Sequence, residues 1–334
     1  MAATQLFGQR IKRNEDPRLL TGQALFVDDV ELPKMVHLMF VRSPYAHARI
    51  LEIDKEDAEA MAGVIAVYTA EDLGDYWQPG PLLVPPPPVD GMIFNQRTQV
   101  PLAKGKVRYA GEPVAVVVAE SRYIAEDAAE LVFVDYEILD AVVDLEAAIS
   151  AETPAVHADI PLVKGKFNNV NAHVLQIKGK DKNFDSIAAT AAAVVKRRYY
   201  YDHGASCPME TRGVVADWDR RAQRMTIWDT TQAPVFIRNG MAAFLGLSEN
   251  QVRVIAPFIG GGFGPKIMMF YPAEMLVPWL SMQLQRPVKW IEDRAEHFVA
   301  TTQERDQIHY AEMAVDKQGK ILALRDYFIH DAGA

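Results

Sequence analysis

The chain has 334 residues, of which 49% are hydrophobic and 24% are charged; this composition suits a folded protein, and the length suffices for two domains. Its net charge of −9 argues against a nucleic-acid partner, because phosphate binding requires a basic surface. The single cysteine, Cys207, excludes a disulfide within the chain and an iron–sulfur cluster held by this chain alone.

The N-terminal segment predicts neither secretion nor membrane insertion. Residues 1–24 are largely polar, and they lack the apolar core and the cleavage site of a signal peptide. No later stretch approaches the roughly 18 consecutive apolar residues of a transmembrane helix. We therefore expect a cytoplasmic protein without a membrane span, in which residues 1–24 form a solvated arm.

Apolar runs of strand length alternate with short helical segments in the first 150 residues. Strands are predicted at Met35–Arg42, Ala48–Ile53, Val64–Tyr68, Val114–Ala119 and Val132–Glu137. The continuous apolar run at 114–119 predicts a strand that is buried on both faces. A helix is predicted over Ile124–Leu131, with Ser121 as its N-cap. Six prolines between residues 79 and 88 predict an extended surface connection.

After residue 150 the pattern predicts further strands and longer helices. The strands are Val174–Gly179, Ala193–Tyr201, Gly213–Trp218, Met225–Trp228, Val252–Ile255, Val288–Ile291 and Leu322–His330. The helices are Asn183–Ala193, Val235–Leu245 and Pro272–Leu284. Adjacent arginines and tyrosines at 197–201 could stack on nucleic-acid bases, but no wider basic patch accompanies them. Packing and surface pairing therefore explain them better.

The most distinctive stretch is Gly260-Gly261-Gly262-Phe263-Gly264, which follows the predicted strand at 252–255. Glycine accepts positive φ and lets a ligand approach the backbone amides, so the stretch is typical of a loop wrapped against a large, phosphorylated ligand. A glycine-rich turn without a ligand is the simpler alternative. Pro265 and Ile267 break the pattern of an ATP-binding P-loop, and Pro265 stands where a dinucleotide fingerprint needs glycine.

Five segments together resemble one protein family. They are NEDPRLLTGQALFVDDV at 14–30, YAGEPVAVVVAES at 109–121, PMETRGVVADWD at 208–219, TTQAP at 230–234 and GGGFGPK at 260–266. In this order they resemble the N-terminal part of the molybdenum-binding large subunit of the xanthine dehydrogenase, aldehyde oxidase and carbon monoxide dehydrogenase family. The resemblance implies an α+β fold, with an α/β hammerhead domain and an N-terminal arm in residues 1–150. Residues 151–334 would form the first part of a molybdopterin-binding domain.

The resemblance also implies where a cofactor would lie. Gln232 would hydrogen-bond an oxo ligand of molybdenum, because a neutral amide offers donors without adding charge, and no residue of this chain would ligate the metal directly. The backbone around the pterin would belong to Gly260, Gly261, Gly262, Phe263 and Gly264. Gln232 and Phe263 are the candidate catalytic residues. Considered alone, Gln232 is equally interpretable as a turn residue before Pro234.

The family's chemistry is the hydroxylation of an electron-poor carbon in an aldehyde or N-heterocycle, with oxygen from water. The implied cofactor is molybdenum–molybdopterin cytosine dinucleotide, with FAD and a [2Fe-2S] cluster on partner subunits. The family's general base is a glutamate expected outside this chain, so a second molybdenum-subunit chain is expected as a partner. Glu210 and Glu112 are poor substitutes, since capping or pairing with Arg212 or Arg108 explains them better.

Other functions stay open at this point. A catalytically incomplete fragment, or an assembly or cofactor-carrying module, would keep the same motifs without supporting turnover. A nucleotide-binding protein that uses the glycine loop would bind ATP or NAD by itself, and the failed motif comparisons disfavour it. Within the family, carbon monoxide oxidation is less favoured than oxidation of an aldehyde or N-heterocycle.

Overall fold

The computed structural model describes residues 7–179, 183–267 and 269–333. The helices are α1 Asp16–Leu20, α2 Glu56–Ala60, α3 Arg122–Glu130, α4 Leu145–Ala148, α5 Phe184–Ala188, α6 Pro234–Phe244, α7 Pro272–Leu284 and α8 Arg294–Ala300. The strands are β1 Val36–Arg42, β2 Ala48–Asp54, β3 Val64–Thr69, β4 Ile93–Phe94, β5 Lys106–Val107, β6 Pro113–Ala119, β7 Phe133–Ile138, β8 Ala172–His173, β9 Ala193–Gly204, β10 Gly213–Asp219, β11 Arg224–Asp229, β12 Val252–Ile255, β13 Val288–Ile291, β14 Glu304–Val315 and β15 Ile321–His330.

A seven-stranded sheet runs in the order β12-β11-β10-β13-β1-β6-β3. Its last three strands come from the first 150 residues and its other four come from later in the chain, so a single sheet joins both parts of the sequence. The junction is the parallel pair β1 and β13, where Val36 lies opposite Val288. β6 is buried at every position, which confirms the prediction from its continuous apolar run.

The main core lies between this sheet and two helices. α7 packs against β10 and β13, and α6 packs against β12 and α7. Large side chains that are fully buried here include Trp290, Met275, Leu276 and Ile237. Burying each side chain of this size contributes about 1.5–3 kcal/mol, so this core holds β10–β13 and the segments that leave them in fixed positions.

A smaller core lies where α3 packs against β1 and β6. The predicted N-cap of α3 is confirmed, since the Ser121 hydroxyl accepts a hydrogen bond from the backbone N–H of Ile124 at 3.3 Å. The helix then buries Ala125 and Ala128. The remaining strands of this region, β5, β2 and β7, form a separate three-stranded sheet, while β4 pairs with β8.

β14 and α8 are not predicted by the local sequence pattern. β14 is the central strand of the three-stranded sheet β9-β14-β15, and it is long but rich in charged and polar residues. Its Glu312 lies between Lys196 of β9 and Arg325 of β15, and forms ion pairs with both. Because the charges are balanced only by residues distant in sequence, the local pattern did not predict a strand.

Two predicted elements between residues 174 and 193 are wrong. The helix predicted over 183–193 is shorter in the structure, where only α5 is helical. The chain leaves the helix early because the amide of Ala192 already donates to the carbonyl of Val315, at the start of the β9–β14 pairing. The strand predicted over 174–179 is irregular backbone, and pairing with β4 is confined to β8, just before it. At residues 183–193 long-range strand pairing overrides local propensity, whereas residues 174–179 have no pairing partner among the described strands and so do not form a strand.

Within the described ranges, no helix combines the length and the apolar composition that crossing a bilayer requires. Residues 79–88 form neither helix nor strand.

Candidate functional site

Two parallel strands bring the candidate residues together. β11 ends three residues before Gln232, and β12 ends five residues before Gly260. These strands are parallel neighbours, with Trp228 opposite Ile255, so the segments that leave their carboxyl ends are adjacent. This region contains all the predicted site residues, which are Gln232, Gly260, Gly261, Gly262, Phe263 and Gly264.

The amide group of Gln232 is held in one orientation by the glycine loop. Its backbone N–H donates to the carbonyl of Lys266 at 2.9 Å, and its side-chain Oε1 accepts from the backbone N–H of Gly264 at 3.1 Å. Since an N–H must face an oxygen, the amide NH₂ group is directed away from that bond. Among the described residues Nε2 has no hydrogen-bond partner, and Gln232 is exposed, so its two donors remain available to a ligand.

The glycines of the loop are required by space and by backbone conformation. A Cβ at Gly262 would lie 2.3 Å from Cδ of Gln232, and one at Gly260 would lie 2.5 Å from Cβ of Glu210. Gly261 and Gly264 have φ values of +103° and +100°, a region that favours glycine. Phe263 also has a positive φ, and its side chain is 70% exposed on the open side of the loop.

The buried side of the loop rests on an ion pair. Nζ of Lys266 donates to Oε2 of Glu210 at 3.1 Å, and the same oxygen accepts from the backbone N–H of Gly260 at 2.7 Å. The structural role expected for Glu210 is therefore present, but the expected partner Arg212 is wrong. Glu112 has the expected capping role, since it accepts a hydrogen bond from the backbone N–H of Arg108 at 2.5 Å.

Arg212 belongs to a buried network that the sequence pattern did not predict. Its guanidinium Nε donates to Oε1 of Glu292 at 3.0 Å and stacks 3.8 Å from the ring centre of Tyr271. His297 and Thr301 bind the same carboxylate, each at 2.9 Å. Burial by itself would raise the pKa of Glu292, but the charge of Arg212 and these hydrogen bonds hold it lowered. The only local signal was a glutamate directly after an apolar strand.

Asp229 is a second buried charge, at the end of β11 below Gln232. It is 1% exposed, and its Oδ2 has no hydrogen-bond partner among the described residues. Burial raises its pKa to about 7, although the positive charges of Arg212 and Lys266 oppose the shift. Burial thus places a carboxyl with a raised pKa at the end of β11, three residues before Gln232.

Asp229→Asn is expected to flatten the dependence of stability on pH. Between about pH 4 and pH 7 folded Asp229 keeps a proton that the unfolded chain releases, so the contribution of Asp229 to stability falls as pH rises through this range. The variant has no such proton, and its loss of stability between pH 5 and pH 8 should be smaller by about 1–3 kcal/mol. Urea unfolding at both pH values measures this. Asp90→Asn, at an exposed position, is the control, and an equal slope in the two variants contradicts the prediction.

The residues present fit a molybdopterin group. The NH₂ group of Gln232 has no partner among the described residues and can donate to a ligand. Gly262 carries no side chain and has no room for one beside Gln232. The nearby carboxylate of Glu210 is engaged with Lys266 and Gly260 on the buried side. An oxygen-rich, anionic group can therefore approach donors here without meeting that carboxylate.

Two domain families match the chain. Residues 21–140 match the aldehyde oxidase and xanthine dehydrogenase a/b hammerhead domain, and residues 165–334 match the molybdopterin cofactor-binding domain. The fold and these two matches thus define a molybdopterin-binding protein of the hammerhead type. The chain belongs to the family of molybdenum-binding large subunits that includes those of xanthine dehydrogenase, aldehyde oxidase and carbon monoxide dehydrogenase. The boundary placed at residue 150 stays a prediction.

Its relatives are longer than this chain. It is 37% identical over 331 residues to the nicotine 6-hydroxylase large subunit of Paenarthrobacter nicotinovorans, covering 98% of this chain and 38% of that protein. It is 40% identical over 338 residues to the carbon monoxide dehydrogenase large chain of Afipia carboxidovorans, covering 99% and 40%. The crystal structure of quinoline 2-oxidoreductase from Pseudomonas putida 86 matches with a TM-score of 0.84 and 39% identity, over 95% of this chain and 38% of that one.

Proposed function

We propose that this chain is the cofactor-orienting part of a molybdenum hydroxylase that oxidises an aldehyde or an N-heterocycle with oxygen from water. The observation that carries the proposal is the fixed amide of Gln232, whose Oε1 is bound to Gly264 and whose NH₂ group, on an exposed residue, has no hydrogen-bond partner among the described residues. Relatives named for nicotine and quinoline favour an N-heterocyclic substrate.

The bound cofactor, which we propose to be molybdenum–molybdopterin cytosine dinucleotide, would supply the two-electron oxidation. Gln232 would donate a hydrogen bond to an oxygen ligand of the metal, and the loop from Gly260 to Gly264 would let the pterin approach the backbone. Phe263 would border the reacting centre from its exposed position. These groups orient and bind, and the carboxylate of Glu210 at the base of the loop is engaged with Lys266 and Gly260.

The proposal therefore places the general base outside the described residues, on a second molybdenum-subunit chain. Electrons would leave through partner subunits that carry a [2Fe-2S] cluster and FAD, since the single cysteine cannot hold a cluster. Carbon monoxide oxidation is the second candidate, which the 40% identity to a carbon monoxide dehydrogenase large chain supports.

The test uses the complex purified from its native host through a tag on this chain. We expect one molybdenum per chain, release of CMP on acid hydrolysis, and oxidation of quinoline, nicotine or an aldehyde with an artificial electron acceptor. In ¹⁸O-labelled water the product should carry one labelled oxygen. Absence of molybdenum contradicts the assignment and leaves a non-catalytic module. Turnover of carbon monoxide alone supports the second candidate.

A further inference from the structure

We propose that Glu210 and Lys266 are positioning residues that close the glycine loop at its base and thereby set the position of Gln232. This inference rests on the proposed function, in which Gln232 and the loop hold the cofactor. The side chain of Lys266 is buried and the carboxylate of Glu210 is engaged with Lys266 and Gly260, so both would act through Gln232 and the backbone of the loop.

A single carboxylate oxygen joins the two ends of the loop. Oε2 of Glu210 accepts from the backbone N–H of Gly260 at 2.7 Å and from Nζ of Lys266 at 3.1 Å. The backbone N–H of Glu210 also donates to the carbonyl of Gly260 at 3.1 Å. Gly260 and Lys266 are six residues apart, and this carboxylate restricts both at once. The loop between them is therefore tied at its base.

Lys266 also carries the restraint to Gln232. Its carbonyl accepts from the backbone N–H of Gln232 at 2.9 Å and from the hydroxyl of Thr231 at 3.2 Å. Its side chain is fully buried and ends on Glu210. A movement of Lys266 would therefore move Gln232, whose side chain is in turn bound to Gly264 within the loop. Gln232 and Glu210 hold the loop from its two sides.

The ion pair suits this role because one of its two partners, Lys266, is buried. A hydrogen bond to a charged group is stronger and shorter than one between neutral groups. The side chain of Glu210 is 18% exposed, while that of Lys266 is 0% exposed, so the buried ammonium depends on this carboxylate. Burial lowers the pKa of Lys266, and the charge of Glu210 opposes that shift. Removing Glu210 would thus leave a buried cation unpaired.

The primary test is hydrogen exchange, because it does not require turnover. In the purified complex, Glu210→Ala should speed exchange of the Gly260 amide about tenfold, and Lys266→Met should do the same for the Gln232 amide. Glu210→Gln, whose amide oxygen can still accept from Gly260, should retain at least half of the protection. Lys196→Met, which removes the ion pair between the largely exposed Lys196 side chain and Glu312, is the matched control and should change neither amide.

The second readout is kinetic. Lys266→Met should lower kcat about tenfold and leave KM within about twofold, since Lys266 does not face the substrate, and Lys266→Arg should recover most of the loss. If single variants fold poorly, the double variant Glu210→Gln with Lys266→Met leaves no unpaired buried charge and permits the exchange measurement. Unchanged exchange at Gly260 and Gln232 overturns this inference, whereas a metal-free wild-type complex overturns the proposed function and leaves the exchange result interpretable.

Discussion

Gly262→Ala is expected to lower kcat of the molybdenum-containing complex about 100-fold, because it displaces Gln232 from the position where its amide can reach the cofactor. The added Cβ would lie 2.3 Å from Cδ and 2.5 Å from Oε1 of Gln232. An ordinary contact needs about 3.4 Å, so the Gln232 side chain must move by about 1 Å or lose its bond to Gly264. Such a displacement is sufficient for a loss of this size.

The effect should come from Gln232 and not from backbone strain, since Gly262 does not have a positive φ. The measurements are kcat, molybdenum content and the unfolding midpoint of the same preparation. Gly204→Ala is the control, because its Cβ would meet only flexible side-chain atoms of Arg305 and Glu304 at 3.4 Å or more. Wild-type turnover by a molybdenum-loaded Gly262→Ala complex would show that the position of Gln232 does not matter.

Glu292→Gln is expected to lower the free energy of unfolding by about 3–5 kcal/mol, because it leaves the guanidinium of Arg212 buried without a counter-charge. Arg212 and Glu292 are only 5% and 2% exposed, so water cannot replace the lost carboxylate. The same substitution weakens the bonds from His297 and Thr301. The network joins β13 to the segment before β10. The loss of stability should therefore also affect the sheet whose strands position the glycine loop.

Urea unfolding followed by tryptophan fluorescence measures this effect, because Trp290 lies 5.4 Å from the Arg212 guanidinium. Glu249→Gln, which breaks the exposed pair with Arg238, should cost less than about 1 kcal/mol. If Glu292→Gln does not accumulate in soluble form, adding Arg212→Met should restore folding in part by removing the unpaired charge. A cost equal to that of the control would mean that water reaches Arg212.

Local sequence was sufficient to predict the structure wherever neighbouring residues determine the backbone conformation. The continuous apolar run at 114–119 predicted a fully buried strand, and Ser121 predicted the start of α3. The glycines at 261 and 264 predicted a loop with positive φ. These features depend on side-chain periodicity, a hydroxyl next to free amides, and a missing Cβ, all of which are written within a few residues.

Long-range strand pairing explains why the predictions were wrong at β14 and at residues 183–193. β14 is a strand because β9 and β15 lie on both sides of it and balance the charge of Glu312. The helix predicted over 183–193 is short because β9 takes over at Ala193. No window of sequence contains these partners, so local propensity alone gives the wrong element.

By itself the sequence determined the α+β class, the family and the two segments of the candidate site, because glycine spacing and the residues around Gln232 are local patterns. Only the tertiary structure decided that parallel β11 and β12 place these segments side by side. It also decided that the carboxylate of Glu210 pairs with Lys266 and not with Arg212. Partners 56 residues apart, or 80 for Arg212 and Glu292, meet only when the sheet and its core have formed. The contacts that fix Gln232 therefore depend on the free energy of the whole fold, which no local pattern contains.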